Sequence, residues 1–157
     1  MALSVGSLKS SLENDWFVPE GGSNPPSTLV SAQRFALAVS QWFALAQANG
    51  LPCVTALPRM AQLHVQAAAA LQAGQAQAAG AQLALAVASY YAGQSFGPGV
   101  ATFPAAVSVG VTDMAAVFGD LGMINADRAQ RIAGACHVMA ISTVVVFATP
   151  PFAATII

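Results

Sequence analysis

The one constellation in this sequence with the residue types of a catalytic centre is Gly93-Gln94-Ser95-Phe96-Gly97, a G-x-S-x-G match. Asp113, Asp120 or Asp127 and then His137 follow it, in the nucleophile, acid, base order of an α/β-hydrolase. That chemistry needs a strand before the serine and a helix after it, so that the hydroxyl stands on a sharp turn. Here an apolar helical stripe precedes Ser95, and Gly97-Pro98-Gly99 forbids an immediate helix. The chain also has no series of parallel-strand patterns, so a serine hydrolase is the remote reading and no catalytic residue is assigned.

Cys53, His64, Cys136 and His137 are the residue types that could ligate zinc. Neighbouring helical residues such as Cys136 and His137 point about 100° apart, which makes shared ligation awkward. Two distant cysteines outside any CxxC pattern read as buried small hydrophobes. No metal, cofactor or phosphate-binding loop is expected.

With the site chemistry this thin, the elements become the informative level. Among 157 residues only five are basic and six acidic, a charged share of 7% against roughly 25% in an ordinary soluble domain. Nothing between Arg59 and Asp113 carries a formal charge. Such a surface is poorly solvated unless covered, which points to a large permanent interface, above all with copies of the same chain. The cations Lys9, Arg34, Arg59, Arg128 and Arg131 form no stripe, so sequence-specific nucleic-acid binding is not expected. Met1 to Lys9 lacks the basic segment and long apolar core of a secretory signal, so export by that route is not expected. A small integral membrane protein is the alternative. Its best candidate span, Ile132 to Ala148, sits near the lower length limit of roughly 17 residues. Gln62, Gln66, Gln72, Gln75, Gln77 and Gln82 would be costly against lipid, so a membrane is the less favoured cover.

Two parts are expected: an N-terminal helix and extended arm over 1–27, and a helical bundle with a C-terminal strand and apolar tail over 28–157. Ser7 can cap the first helix, which ends near Asn14. Trp16 and Phe17 then precede Glu20-Gly-Gly-Ser-Asn-Pro-Pro-Ser27, which reads as a loop or as an arm laid on a neighbouring subunit. The second helix starts at Ser27 or Thr28 with Phe35, Val39, Trp42, Phe43 and Ala46 as its buried stripe, and Asn49-Gly50 supplies its stop. Leu51 to Leu57 is a connector, Pro58 opens a third helix, and a fourth runs from about Gln75 to Ala92. Gly93 to Gly99 is irregular. Val107, Val109 and Val111 alternate, so the residues after Pro104 suit a strand or a loose helix. Thr112 can cap a turn, Gly119 to Gly122 breaks the chain, and Asn125 looks like an N-cap with Asp127 in the first turn. Thr143, Val144, Val145, Val146 and Phe147 are β-branched or aromatic on both faces and predict a buried strand. Its partner is expected in the Val107–Val111 region or in another subunit.

The layout resembles small Ala-rich helical structural proteins at the neck or tail of tailed bacteriophages. The features that carry this are the Leu8-Lys-Ser-Ser-Leu12 helix and the Pro25-Pro26-Ser27 lead into Phe35 and Trp42-Phe43. Ala/Gln helices ending in Ala88-Ser-Tyr-Tyr-Ala-Gly93, and a last helix turning into the His137-to-Pro151 strand, complete it. The resemblance implies a non-enzymatic virion subunit, assembled in the bacterial host cytoplasm into a symmetric homo-oligomeric ring of connector or tail-completion type. Other virion structural proteins would be its partners. Trp16, Phe17, Thr143 to Phe147 and Phe152 are then the expected subunit contacts.

Overall fold

The computed structural model describes residues 3–18 and 22–157. The chain is mainly α: α1 (Val5–Ser11) continued by a π-helical turn (Leu12–Trp16), α2 (Thr28–Phe43), α3 (Met60–Leu71), α4 (Ala76–Tyr91), α5 (Val107–Gly119) and α6 (Asn125–Ile141). Short strands lie between and after them: β1 (Gln47–Ala48), β2 (Leu51–Pro52), β3 (Ser95–Phe96), β4 (Gly99–Ala101), β5 (Val144–Val146) and β6 (Ala153–Thr155). Each helix packs on the next in sequence, and α6 returns to α1.

This order hides a repeat. The helices α2, α4 and α6 begin 48 and 49 residues apart, as do the strands β1, β3 and β5. Placing Ala32–Phe43, Gly80–Tyr91 and Ala129–Ala140 in parallel matches Ala32-Gln-Arg-Phe-Ala with Gly80-Ala-Gln-Leu-Ala and Ala129-Gln-Arg-Ile-Ala. Phe35, Leu83 and Ile132 occupy one fully buried position, and Ala36, Ala84 and Ala133 the next. Each unit is therefore a leading helix, a β-hairpin and a trailing helix: α2, β1–β2, α3; then α4, β3–β4, α5; then α6, β5–β6. The third trailing helix is α1, at the other end of the sequence and packed on α6. Its Leu8 and, in the π-helical turn that continues it, Leu12 are buried at the same four-residue spacing as Leu63 and Ala67 in α3 and Gly110 and Met114 in α5.

The hairpins repeat as closely as the helices. Within each, the two strands are antiparallel, and β4 pairs with β5 to give the sheet order β3-β4-β5-β6. Two further bridges, Cys53 to Phe96 and Ile156 to Ala48, join β1–β2 to both edges of that sheet. Those bridges and the Ala101–Val145 pair are the same contact in three copies. The same three-fold pattern recurs in backbone hydrogen bonds from Val54 to Ser95 (3.0 Å), Thr102 to Val144 (2.8 Å) and Ile157 to Gln47 (2.9 Å). The six strands thus close on themselves, leaving no free edge. Ala48, Phe96 and Val145 all turn into the core. Beneath them the ring of Phe43 stacks on Tyr91 at 4.3 Å, and the Tyr91 hydroxyl donates to the Cys136 carbonyl, drawing the three leading helices together.

The local differences from the sequence reading have physical causes. Asn49-Gly50 does not stop a long helix, because α2 already ends at Phe43; Asn49 and Gly50 both hold positive φ (52° and 75°) and make the tight turn of the first hairpin. Val107–Val111 is helical: Val107 and Val111 rest on the core one turn apart while Val109 is exposed. It is therefore not the partner of β5, which pairs inside the chain with β4 and β6. Gly93–Gly99 and the tail after Phe152 supply strands. Thr112 sits within α5 with its hydroxyl on the Ser108 carbonyl, and Ile124 is the N-cap of α6 while the Asn125 amide donates to the Val18 carbonyl. The part of the expected arm at Pro19, Glu20 and Gly21 lies outside the described residues.

Candidate functional site

Ser95 lies on β3, its backbone N–H donating to the Thr55 hydroxyl at 2.8 Å. His137 lies on α6, its ring edge-on to Trp42 with centroids 6.3 Å apart. Burial holds the His137 imidazole below its ordinary value. Among the described residues no hydrogen bond joins Ser95, His137 and any of Asp113, Asp120 or Asp127; Asp120 instead accepts from the Gly122 N–H. Cys53 and Cys136 are buried free thiols on separate units, and desolvation pushes the Cys136 thiol up to about 12. His64 faces the Leu29 carbonyl at 3.1 Å. Among the described residues no three His, Cys, Asp or Glu side chains gather as a metal site would require.

What does gather is polar scaffolding under the hairpins. Gln94 is fully buried, accepts from Thr55 Oγ1 at 2.6 Å and Cys53 Sγ at 3.6 Å, and donates to the Tyr90 carbonyl at 2.9 Å. The Tyr90 hydroxyl donates to the Ala56 carbonyl at 2.7 Å. Arg59 reaches the Ala92 carbonyl and both fork nitrogens hold the Gln62 side-chain oxygen. Thr143, at the position of Gln94 in the third unit, ties back to the Met139 carbonyl in the same way. Each polar group here has its partners, so the cluster fixes the hairpins on the helices.

The residues expected at subunit contacts divide between interior and surface. Trp16 is 6% exposed, its ring centroid 4.8 Å from that of Phe35 and its indole N–H on the Ser31 hydroxyl; the half-buried Phe17 ring lies tilted against it, with centroids 4.6 Å apart. Thr143, Val145 and Phe147 are buried within the chain, and Val144 is half-buried. Val146 and Phe152 face solvent. They do not stand alone. Val100, the register partner of Val146, is exposed on the same side of the sheet. Val54 and Ile157, in matching positions on their hairpins, are exposed as well, as are Leu57 and Phe103, each preceding the proline that leads into a trailing helix. These seven side chains keep 48–59% of their surface, and they all belong to the hairpins or the connectors leaving them. The alternation of a closed sheet made this surface: one residue inward to the core, the next outward. Strands of two or three residues are too short to display that period in sequence, so the outward placement of Val54, Val100 and Ile157 is not legible there, and Leu57 and Phe103 lie in connectors with no period at all.

Comparison with models of known protein families, with curated proteins and with solved structures finds no match. Among the described residues, no helix is long and apolar enough to cross a membrane.

Proposed function

We propose that this chain is a structural subunit that assembles with copies of itself through the outer face of its hairpin ring, and that the assembly belongs to a tailed-phage virion, at the neck or tail. The observation that carries the assembly reading is the exposed apolar surface of Val54, Leu57, Val100, Phe103, Val146, Phe152 and Ile157 in a chain with so few charges to solvate it. The placement in a virion rests on the resemblance in layout described above. Because β5 is paired on both edges within the chain, the contact proposed is between side chains of sheet faces, and strand addition between subunits is set aside. Association of this kind is driven by removal of apolar area from water, at about 25 cal/mol per Å².

Light scattering on protein purified without detergent tests the reading. A defined oligomer is expected, and the double variant Val100→Lys/Val146→Lys is expected to be monomeric with an unchanged far-UV circular dichroism spectrum. A monomeric parent protein at high concentration, or an oligomer indifferent to both lysines, would sink it.

A further inference from the structure

The two ends of the molecule differ in charge. Over 44–59, 92–106 and 142–157 the hairpins and their connectors carry one charged side chain, Arg59, and its guanidinium is held by the Ala92 carbonyl and Gln62. The opposite end gathers Glu13 and Asp15 in the π-helical turn, Asp120 after α5, Asp127 and Arg128 in the first turn of α6, and Arg34 and Arg131 in the first halves of α2 and α6. Lys9 and Asp113 lie part-way along trailing helices. The exposed apolar residues of that far end, Leu121 and Ile124, stand among its charges. Ile124 lines one groove with Asp120, Asp127 and Arg131, and Leu121 another with Glu13 and Arg128. On the flanks, Leu37 and Leu85 are exposed at one repeat position of α2 and α4, so the threefold order turns them to different sides.

A surface that covers the hairpin face must bring no unpaired ion with it, because an ion stripped of water without a partner is strongly disfavoured. The far end of a second copy fails that condition, and the hairpin face of a second copy meets it. A patch that docks on its own copy makes a closed two-fold contact, whereas a ring or filament needs two different patches on each copy. The face also repeats three times about one axis, so a second copy turned over onto it presents the same arrangement of outward side chains. We infer that the assembly proposed above is a face-to-face pair, hairpin ring on hairpin ring, which closes at two copies and leaves Leu121, Ile124 and the charged end in solvent. This inference rests on the assembly reading and assigns the partner surface that meets the hairpins.

The test combines light scattering on the full chain with an exchange of charge on the face. The parent protein is expected at twice 15.8 kDa, with no further growth as its concentration rises. Leu121→Lys/Ile124→Lys is expected to leave that mass unchanged. Val100→Lys/Val146→Lys and Val100→Glu/Val146→Glu are each expected to be monomeric alone, because like charges then meet across the contact. Mixed, they are expected to form a one-to-one pair, at least about tenfold tighter than either variant with itself. A parent that grows beyond two copies, a pair broken in the folded Leu121→Lys/Ile124→Lys variant, or a mixture that stays monomeric would overturn the face-to-face arrangement and leave the assembly reading standing. A monomeric parent would overturn the assembly reading itself, and this inference with it.

Discussion

Gln47 and Ile157 exchange both of their backbone hydrogen bonds, at 3.1 and 2.9 Å, and so fasten the last strand to the first. Ile156, beside that clasp, is 1% exposed and bridges Ala48. Its side chain is the third copy of a contact also made by Cys53 and Ala101. Ile156→Ala is expected to cost about 2–4 kcal/mol through lost burial and the space left behind, read as a lower urea midpoint. Ile157→Ala, at an exposed position whose backbone bonds survive, is expected to change stability by less than about 0.5 kcal/mol. Equal effects of the two would mean the strands do not close as described.

Gly80 and Gly134 make opposite predictions from one substitution. A methyl group on Gly80 would run into the Met114 carbonyl of α5, a backbone atom that has no rotamer to escape into. Gly80→Ala is therefore expected to destabilise by about 1–3 kcal/mol, even though Ala32 and Ala129 hold the matching place in the other units. Gly134 sits in α6 with open space where its methyl would go, so Gly134→Ala is expected to stabilise by about 0.5–1 kcal/mol. Thermal unfolding followed by circular dichroism reads both, and a shared sign would refute the close α4–α5 crossing.

Gln94 joins helix end, hairpin and connector in one buried cluster, so truncating it strands several partners at once. Gln94→Ala takes away the acceptor that the Thr55 hydroxyl donates to and the side-chain donor to the Tyr90 carbonyl. A loss of about 2–4 kcal/mol is expected from the unmet groups and the emptied volume. Amide hydrogen exchange should quicken at Ser95 and Val54, whose N–H groups hold this hairpin in place; protection unchanged there would count against the role given to Gln94.

Stability should fall on both sides of a neutral window. Burial raises the Cys136 thiol from an ordinary 9.0 to about 12, and raises Tyr90 and Tyr91 above their ordinary 10.0. The folded chain thus holds these protons more tightly than the unfolded one, and the stability they contribute is complete below pH 9 and lost as pH climbs towards 12. His137 is shifted the other way, below 6.5, so its contribution is present above 6.5 and lost on acidification. Urea midpoints measured across pH should form a plateau from about 6.5 to 9. The alkaline slope should become shallower in Cys136→Ala.

The helices were legible because their signals are local. Pro58 marks the start of α3, the stripe of Leu83, Val87 and Tyr90 marks α4 to within a residue at each end, and Asp127 announces α6. Thr143–Phe147 reads as strand and its centre, Val144–Val146, is one; the local partner expected for it, Val107–Val111, is helix, and β4 and β6 take that place. The hairpins were not legible, because strands of two or three residues have no period to count and their partners lie 43 to 108 residues away at the ring closures. Trp42-Phe43 and Tyr90-Tyr91 stand 48 residues apart, as the repeat requires, yet in an Ala-rich chain the intervening matches look like composition. Of the residues expected at subunit contacts, Val146 and Phe152 are exposed, whereas Trp16 is buried within its own chain: aromatic clusters beside a Gly/Pro run signal an anchor without saying whether its pocket is in the same chain.

The position of α1, first in sequence and last in the repeat, makes the polypeptide topologically a circle that has been cut. A chain in which Ile157 is followed directly by Met1 has five residues between Ile156 and Val5, as many as separate Ala101 from Val107. New ends opened between Ala73 and Gly74, in the exposed turn joining two complete units, would then give each trailing helix its leading helix and hairpin upstream in one uninterrupted order. Such a permuted chain should reach the same fold, and it would turn three unequal units into a plain tandem array whose middle can be exchanged unit by unit.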